Sequence, residues 1–135
     1  MSWTELSGYI EAALGSVGYV NSIYRGDVYD RWNNTNVAYV SAVYENINTP
    51  PDGDSIEEFD VRLTVADRLV EGEYNDTFAQ DFARNAILVA VAALRHSVLE
   101  VDVVQMTPFV QKFADNLAGY TCQLAIKVTT NIQIC

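Results

Sequence analysis

Two stretches of this chain alternate apolar and polar residues with a period of two. In the first, which runs from 58 to 70, one face carries Phe59, Val61, Leu63 and Val65, and the other carries Asp60, Arg62 and Thr64. In the second, which starts at Tyr120, one face carries Tyr120, Cys122, Leu124, Ile126, Val128, Ile132 and Ile134. Because successive side chains of a strand point to opposite faces, both stretches predict strands with one buried face. The second is long for a strand, so we expect its end, 129–135, to project beyond the domain.

Two segments have helical periodicity instead. The first begins with Ser2 and Glu5, the spacing of a capping box, and Gly15 is a suitable left-handed C-cap. Its predicted buried face is Leu6, Tyr9, Ile10, Ala13 and Leu14. The second runs from about 76 to 96 with Asp76 as N-cap. Its predicted buried stripe is Phe78, Phe82, Ala83, Ala86, Ile87, Ala90, Ala93 and Leu94.

The remaining elements are shorter or more ambiguous. Residues 37–47 predict a strand that is apolar on both faces, which pairs with 58–70 through a hairpin loop at 48–55. A further strand is predicted from 101, with an edge position or a bend at Pro108. Residues 17–36 are mixed: a strand can start near 19–24, and turns are expected at 25–27 and 33–36. The predicted order is α-β-β-β-α-β-β in a single domain, 1–135. This predicts an α+β protein whose antiparallel sheet has two helices packed on one face.

The charge balance of the 135-residue chain narrows its function. Acidic residues number 18 and basic residues 8, which gives a formal net charge of −10. Duplex DNA binders need clustered basic residues, so we expect no specific DNA binding. No apolar run reaches the roughly 18–20 residues that cross a membrane, and the first residues lack a signal-peptide pattern. We therefore expect the protein to be made in a cytoplasm, with no membrane partner.

Groups suited to catalysis are sparse. The single histidine, His96, ends the second helix, where it can interact with free carbonyls. No phosphate-binding glycine motif is present. Acidic residues crowd the proline-containing loop at Asp52, Asp54, Glu57 and Glu58, where a calcium ion is conceivable but a solvated loop is the default. We expect no enzymatic activity, no cofactor and no metal.

Aromatic residues cluster in the ambiguous segment, at Tyr24, Tyr29 and Trp32. They either lie at a protein interface, where Tyr and Trp are enriched, or close one end of the sheet. Long unpaired strand edges also favour a partner chain. The candidate interface residues are Tyr24, Tyr29, Trp32, Asp52, Asp54, Glu57, Thr129, Ile132 and Ile134.

Three stretches together resemble a known family. They are Tyr29-Asp30-Arg31-Trp32-Asn33 through Val40-Ser41-Ala42-Val43, Asp60 to Leu69, and a turn at Pro108-Phe109 and Gln111-Lys112-Phe113. The pattern is similar to that of the small tail-completion and tail-terminator ring proteins of tailed bacteriophages. Among these it most resembles the neck and tail proteins of crAss-like and other Bacteroidetes phages. The resemblance covers the order of elements over most of the chain.

The resemblance implies a structural virion protein that forms a cyclic ring of six or twelve copies. Its partners would be itself and neighbouring neck, portal-vertex or tail proteins, and DNA would pass through the ring without specific binding. The family has no catalytic residues to transfer. Two other functions remain open from the sequence: a ligand-binding domain or small enzyme using Asp60, Arg62 and Asp67, and an adaptor that binds partners by strand addition.

Overall fold

The computed structural model of the protein describes residues 2–33, 37–48, 56–69, 76–97, 99–113 and 115–129. Within these ranges, three helices and five strands follow one another. They are α1 (Trp3–Gly15), β1 (Ser22–Arg25), α2 (Val28–Trp32), β2 (Ser41–Asn48), β3 (Ile56–Arg68), α3 (Asp76–Arg95), β4 (Leu99–Lys112) and β5 (Asn116–Thr129). The predicted α+β class is confirmed, and the predicted order differs only in lacking α2.

The five strands form one sheet in the order β1-β2-β3-β5-β4. The pairs β2–β3, β3–β5 and β5–β4 are antiparallel, whereas β1 is parallel to β2. The prediction of a fully antiparallel sheet was therefore wrong for β1. A parallel neighbour requires a crossover connection instead of a tight hairpin, and the segment that contains α2 provides it.

Helices α1 and α3 cover one face of the sheet and form the main core with it. The alternating residues predicted to point inward are buried: Phe59, Val61, Leu63, Val65, Cys122, Leu124 and Ile126. Burial of one such aliphatic side chain contributes about 1.5–3 kcal/mol relative to exposure, so this face supplies most of the driving force for folding.

Helix α1 begins as predicted but ends differently. The Glu5 backbone N–H donates to Ser2 Oγ at 3.1 Å, and the Ser2 backbone N–H donates to Glu5 Oε1 at 3.1 Å. These hydrogen bonds lower the pKa of Glu5. Gly15 is not a left-handed cap; the C-cap is Ser16 in a right-handed conformation, with its hydroxyl donating to the Ala13 carbonyl at 2.6 Å. Tyr9, predicted on the buried face, is 39% exposed.

Helix α3 buries a narrower stripe than predicted. The residues that reach the core are Ala79, Ala83, Ala86, Ile87, Ala90, Val91 and Leu94. Small alanines let the helix approach the sheet closely, which leaves the wider predicted stripe off the contact surface. As a result Phe78 and Phe82 are 57% and 49% exposed, contrary to the prediction that both are core residues.

Helix α2 lies on the opposite face of the sheet and closes one end of it. Asp27 is its N-cap, since Asp27 Oδ1 accepts from the Tyr29 backbone N–H at 2.7 Å. Its last residue, Trp32, is fully buried in a second, smaller core. That core contains Trp32, Val43, Ala66, Phe113 and Leu117. The sequence analysis did not predict this helix. The turn predicted at 25–27 precedes it, and most of the turn predicted at 33–36 lies outside the described residues.

Several element boundaries also differ from the predictions. Residues 37–40 precede β2 instead of belonging to it, and β5 starts at Asn116, before Tyr120. The segment that the family resemblance treats as a turn, from Pro108, continues strand β4 as far as Lys112. Pro108 does lie in an edge strand, as predicted. Most of the hairpin loop (49–55) and the end of the chain (130–135) lie outside the described residues.

Candidate functional site

A cleft of about 250 Å³ opens on the second face of the sheet, where α2 and the sheet meet. Its floor is built from β2, β3 and β5, one wall from α2 and the other from β4. The cleft exists because α2 covers only one end of this face, and the polar residues of the alternating strands occupy the uncovered part. It contains Tyr29, Trp32 and Arg62, which the sequence analysis singled out.

The floor of the cleft holds two cross-strand pairs. Glu45 in β2 lies directly opposite Arg62 in β3, and Arg62 Nη1 donates to Glu45 Oε1 at 2.8 Å. The Glu45 side chain is 26% exposed and the Arg62 side chain is 47% exposed, so water screens the attraction between their charges. In the next row, Thr64 lies opposite Thr121 of β5, with the two hydroxyl oxygens 3.4 Å apart. The floor therefore presents charge and hydroxyl groups side by side.

Aromatic rings form the back of the cleft. The Trp32 ring stacks on Phe109 with centroids 6.2 Å apart and meets Phe113 edge-on at 5.4 Å. Trp32 Nε1 donates to Ser41 Oγ at 3.0 Å, which satisfies both buried groups. Because the indole is fixed by these contacts and is fully buried, it supports the cleft without being open to solvent.

The rim of the cleft joins elements that are far apart in sequence. Gln111 Nε2 in β4 donates to the Tyr29 hydroxyl oxygen in α2 at 3.3 Å. The Tyr29 ring also lies 5.5 Å from Phe113, yet the residue is 55% exposed. Asp27 adds a carboxylate beside it. The rim is thus an exposed aromatic ring between polar groups.

Burial raises the pKa of three ionisable side chains, a direction that does not suit nucleophilic chemistry. Burial is the main cause that raises the pKa of Tyr39 and of Tyr44 to about 12. For Tyr44, the hydrogen bond that its hydroxyl donates to the Glu11 carboxylate contributes to the same rise in pKa. Burial likewise raises the pKa of the Cys122 thiol to about 11. All three groups are kept protonated at neutral pH, whereas a nucleophile or general base needs the opposite shift.

The residues proposed for a binding or enzymatic site do not converge. Arg62 lines the cleft, whereas Asp67 lines a separate, apolar cavity of about 340 Å³ with Tyr19 and Phe82. In that cavity the Tyr19 hydroxyl donates to the Phe82 carbonyl at 2.9 Å. Within the described ranges, no three His, Cys, Asp or Glu side chains gather in a metal-binding group, and no helix is long and apolar enough to cross a membrane.

The candidate interface residues have different environments. Tyr24 is partly buried, with the Arg31 guanidinium 5.5 Å from its ring centre, and Tyr29 is exposed. Trp32 is not available as a surface residue, because it packs inside its own chain and closes one end of the sheet. Two other candidates, Glu57 and Thr129, belong to the paired strands β3 and β5, and their side chains lie outside the described set. The rest, Asp52, Asp54, Ile132 and Ile134, lie wholly outside the described residues.

Sequence reasoning missed the wall and part of the floor of the cleft. Phe109, Gln111 and Thr121 were given no role in a site, although Arg62 and Thr64 were correctly predicted to share the face opposite to Phe59, Val61, Leu63 and Val65. That face was expected to be open, yet Thr64 is buried. The available signal was the pair of aromatic residues Phe109 and Phe113, four positions apart in a segment taken as a turn. In an edge strand with a regular period of two, they point to the same face as Trp32.

The other prominent surface is the outer edge of β4. This 14-residue strand is the last in the sheet order, and no strand in the described parts of the chain pairs with its outer side. Val104 and Val110 on it are 57% and 55% exposed.

No protein-family model matches the sequence, and no curated protein matches it.

Proposed function

We propose that this protein is a structural subunit of a tailed-phage virion that assembles into a cyclic ring at the head-tail connection or in the tail. The observation that carries the proposal is the open edge of β4. Fourteen extended residues span about 48 Å, which is long for a strand with one unpaired side. Proteins that act as monomers usually shorten, charge or cover such an edge.

Exposed apolar side chains on β4 and on α3, which packs against it, support the same function. Besides Val104 and Val110, they include Phe78, Leu88 and Val89 of α3, whereas Phe82 of the same helix lies beside Tyr19, Val40 and Asp67. Each exposes more than a third of its surface. Exposed apolar area on adjacent elements is typical of protein interfaces. A ring would cover one such surface at every subunit boundary and leave no edge unpaired.

In the proposed assembly, subunits join by strand addition. The outer edge of β4 of one subunit pairs with an edge strand of the next. The exposed ring of Tyr29 in α2 reaches neighbouring neck, portal-vertex or tail proteins. The formal charge of −10 repels phosphate, so DNA passes through the ring without being held.

Assembly can be tested through the mass of the particle. We expect a ring of defined copy number by mass photometry and electron microscopy, either alone or after mixing with portal or tail proteins of the same phage. Replacing both Val104 and Val110 with lysine should leave the fold intact, because both side chains are exposed, and should prevent ring formation, because edge lysines block strand addition.

The matched control adds the same two charges on another element. Thr4 and Ala12 are exposed on α1, so the variant Thr4→Lys with Ala12→Lys should still assemble. If both double variants assemble normally, β4 does not join the subunits. A chain that stays monomeric at high concentration, and also with every neck and tail partner, would contradict a role as a ring subunit.

A further inference from the structure

We propose that the cleft between α2 and the sheet binds one positively charged side chain, an arginine guanidinium on a basic segment of a partner protein. This inference concerns the cleft alone and does not depend on ring formation. It rests on the charges of the lining, its aromatic surface and its volume.

The charges that line the cleft favour a cation. Two carboxylates, Asp27 and Glu45, face one guanidinium, that of Arg62. The whole chain carries 18 acidic residues against 8 basic ones, so its long-range field also attracts positive charge. The Arg62–Glu45 hydrogen bond of 2.8 Å shows that Glu45 is already placed to accept from a guanidinium within the cleft.

The aromatic lining favours a planar cation over a compact one. Tyr29 is 55% exposed at the rim, and Phe109 is partly exposed in the opposite wall. Aromatic ring faces carry negative electrostatic potential, and guanidinium groups stack on them more often than ammonium groups do. Arg31 lies over the Tyr24 ring at 5.5 Å, so one guanidinium of this protein already makes such a contact near the cleft.

The volume of the cleft sets the size of the guest. At about 250 Å³ it is smaller than most small-molecule sites, which span about 300–1,000 Å³. One long side chain fits better than a nucleotide or a cofactor. The hydroxyl of Thr121 and the amide of Gln111 provide further acceptor oxygens around it.

Ligand-observed saturation-transfer NMR on the 135-residue chain tests the inference, and it can be used whether the protein is a monomer or a ring. The probe is N-acetyl-arginine amide, compared with the N-acetyl amides of lysine, leucine and glutamate. We expect the arginine probe to bind most tightly. Glu45→Gln should weaken its binding about tenfold, because it removes a charge-assisted acceptor. Arg62→Gln should strengthen its binding several-fold, because it removes the competing guanidinium.

The two substitutions make the test decisive because they act in opposite directions. If the cleft were an anion site, the glutamate probe would bind best, Glu45→Gln would strengthen its binding and Arg62→Gln would abolish it. If it held only an apolar anchor, the leucine probe would bind as well as arginine, and neither substitution would matter. Either result, or the absence of binding by all four probes, would overturn the inference.

A second ion pair on the same face provides the matched control. Lys127 Nζ lies 3.8 Å from Glu58 Oε1, and the two side chains are 43% and 49% exposed, similar to the pair in the cleft. Glu58→Gln and Lys127→Gln change the net charge by the same amounts as the two test variants but lie outside the cleft. Both should leave the affinity for the arginine probe within about twofold, since exposed charges at a distance are screened.

Discussion

Gly119→Ala should be among the most damaging single substitutions in this protein. Gly119 lies in the interior of β5, opposite Ala66 of β3 and Phe109 of β4. A Cβ atom built on it would lie 1.9 Å from the Val65 carbonyl oxygen and 2.8 Å from the Ala66 Cα. Both neighbours are backbone atoms, so no side-chain rotation can relieve the contact.

The size of the effect follows from the displacement required. Real Cβ atoms essentially never approach another heavy atom within 3.0 Å, so β3 and β5 must separate locally by at least 3.0 minus 1.9, or 1.1 Å. Overpacking of this kind costs about 1–3 kcal/mol, and weakening two ladder hydrogen bonds adds about 1–3 kcal/mol. The expected destabilisation of about 2–6 kcal/mol is a large part of the about 5–15 kcal/mol that stabilises a domain.

Gly8→Ala is the matched control for this substitution. Gly8 is exposed in the middle of α1, and a Cβ there meets nothing within 4 Å. Alanine favours the helix over glycine, so we expect this variant to be more stable by about 0.5–1 kcal/mol. The same chemical change thus has opposite signs at the two positions.

Urea unfolding, followed by circular dichroism and tryptophan fluorescence, measures both effects as shifts of the midpoint at constant slope. If Gly119→Ala unfolds within about 1 kcal/mol of the parent protein, the close approach of β3 and β5 does not constrain this position. A variant too unstable to purify agrees with the expectation only if Gly8→Ala expresses normally.

Two further predictions concern buried polar groups. Because burial raises the pKa of Tyr39 and Tyr44 from 10.0 to about 12, the folded state favours their neutral form. That stabilisation is complete below pH 10 and is lost as the pH rises from 10 to about 12. Absorbance at 295 nm and circular dichroism should therefore show the ionisation of these two residues coupled to unfolding. If Tyr39→Phe or Tyr44→Phe removes an ionisation that occurs near pH 10 in the intact fold, the expectation is refuted. Separately, Trp32→Phe removes the donor to the buried Ser41 hydroxyl and should lower the free energy of unfolding by about 1–3 kcal/mol. In a double-mutant cycle measured by unfolding, the same change should cost clearly less when Ser41 has already been replaced by alanine.

The fold class was predictable because burial acts on a period that is visible in the sequence. The alternation from Phe59 to Val65 is reproduced residue by residue in the main core. The capping box of Ser2 and Glu5 was also predictable, because it depends on residues only three positions apart.

The overpredicted burial of α3 shows where local patterns fail. Helical periodicity places Phe78 and Phe82 near the same stripe as Ala83 and Ala86, yet only the alanines face the sheet. Periodicity gives the direction of a side chain around its own helix. The width of the contact depends on how closely the helix and the sheet approach each other.

The cleft required the tertiary structure for a related reason. Its parts come from α2, β2, β3, β4 and β5, and Gln111 contacts Tyr29 across 82 positions of sequence. The short α2 carries too few residues for a clear helical period, and its stability comes from Trp32 packing into the second core. By itself the sequence determined the inward faces of β3 and β5 and the positions of α1 and α3, because these depend on local periodicity and spacing. The strand order, the parallel β1, the open edge of β4 and the cleft were decided only in three dimensions, because they depend on which distant segments pack together.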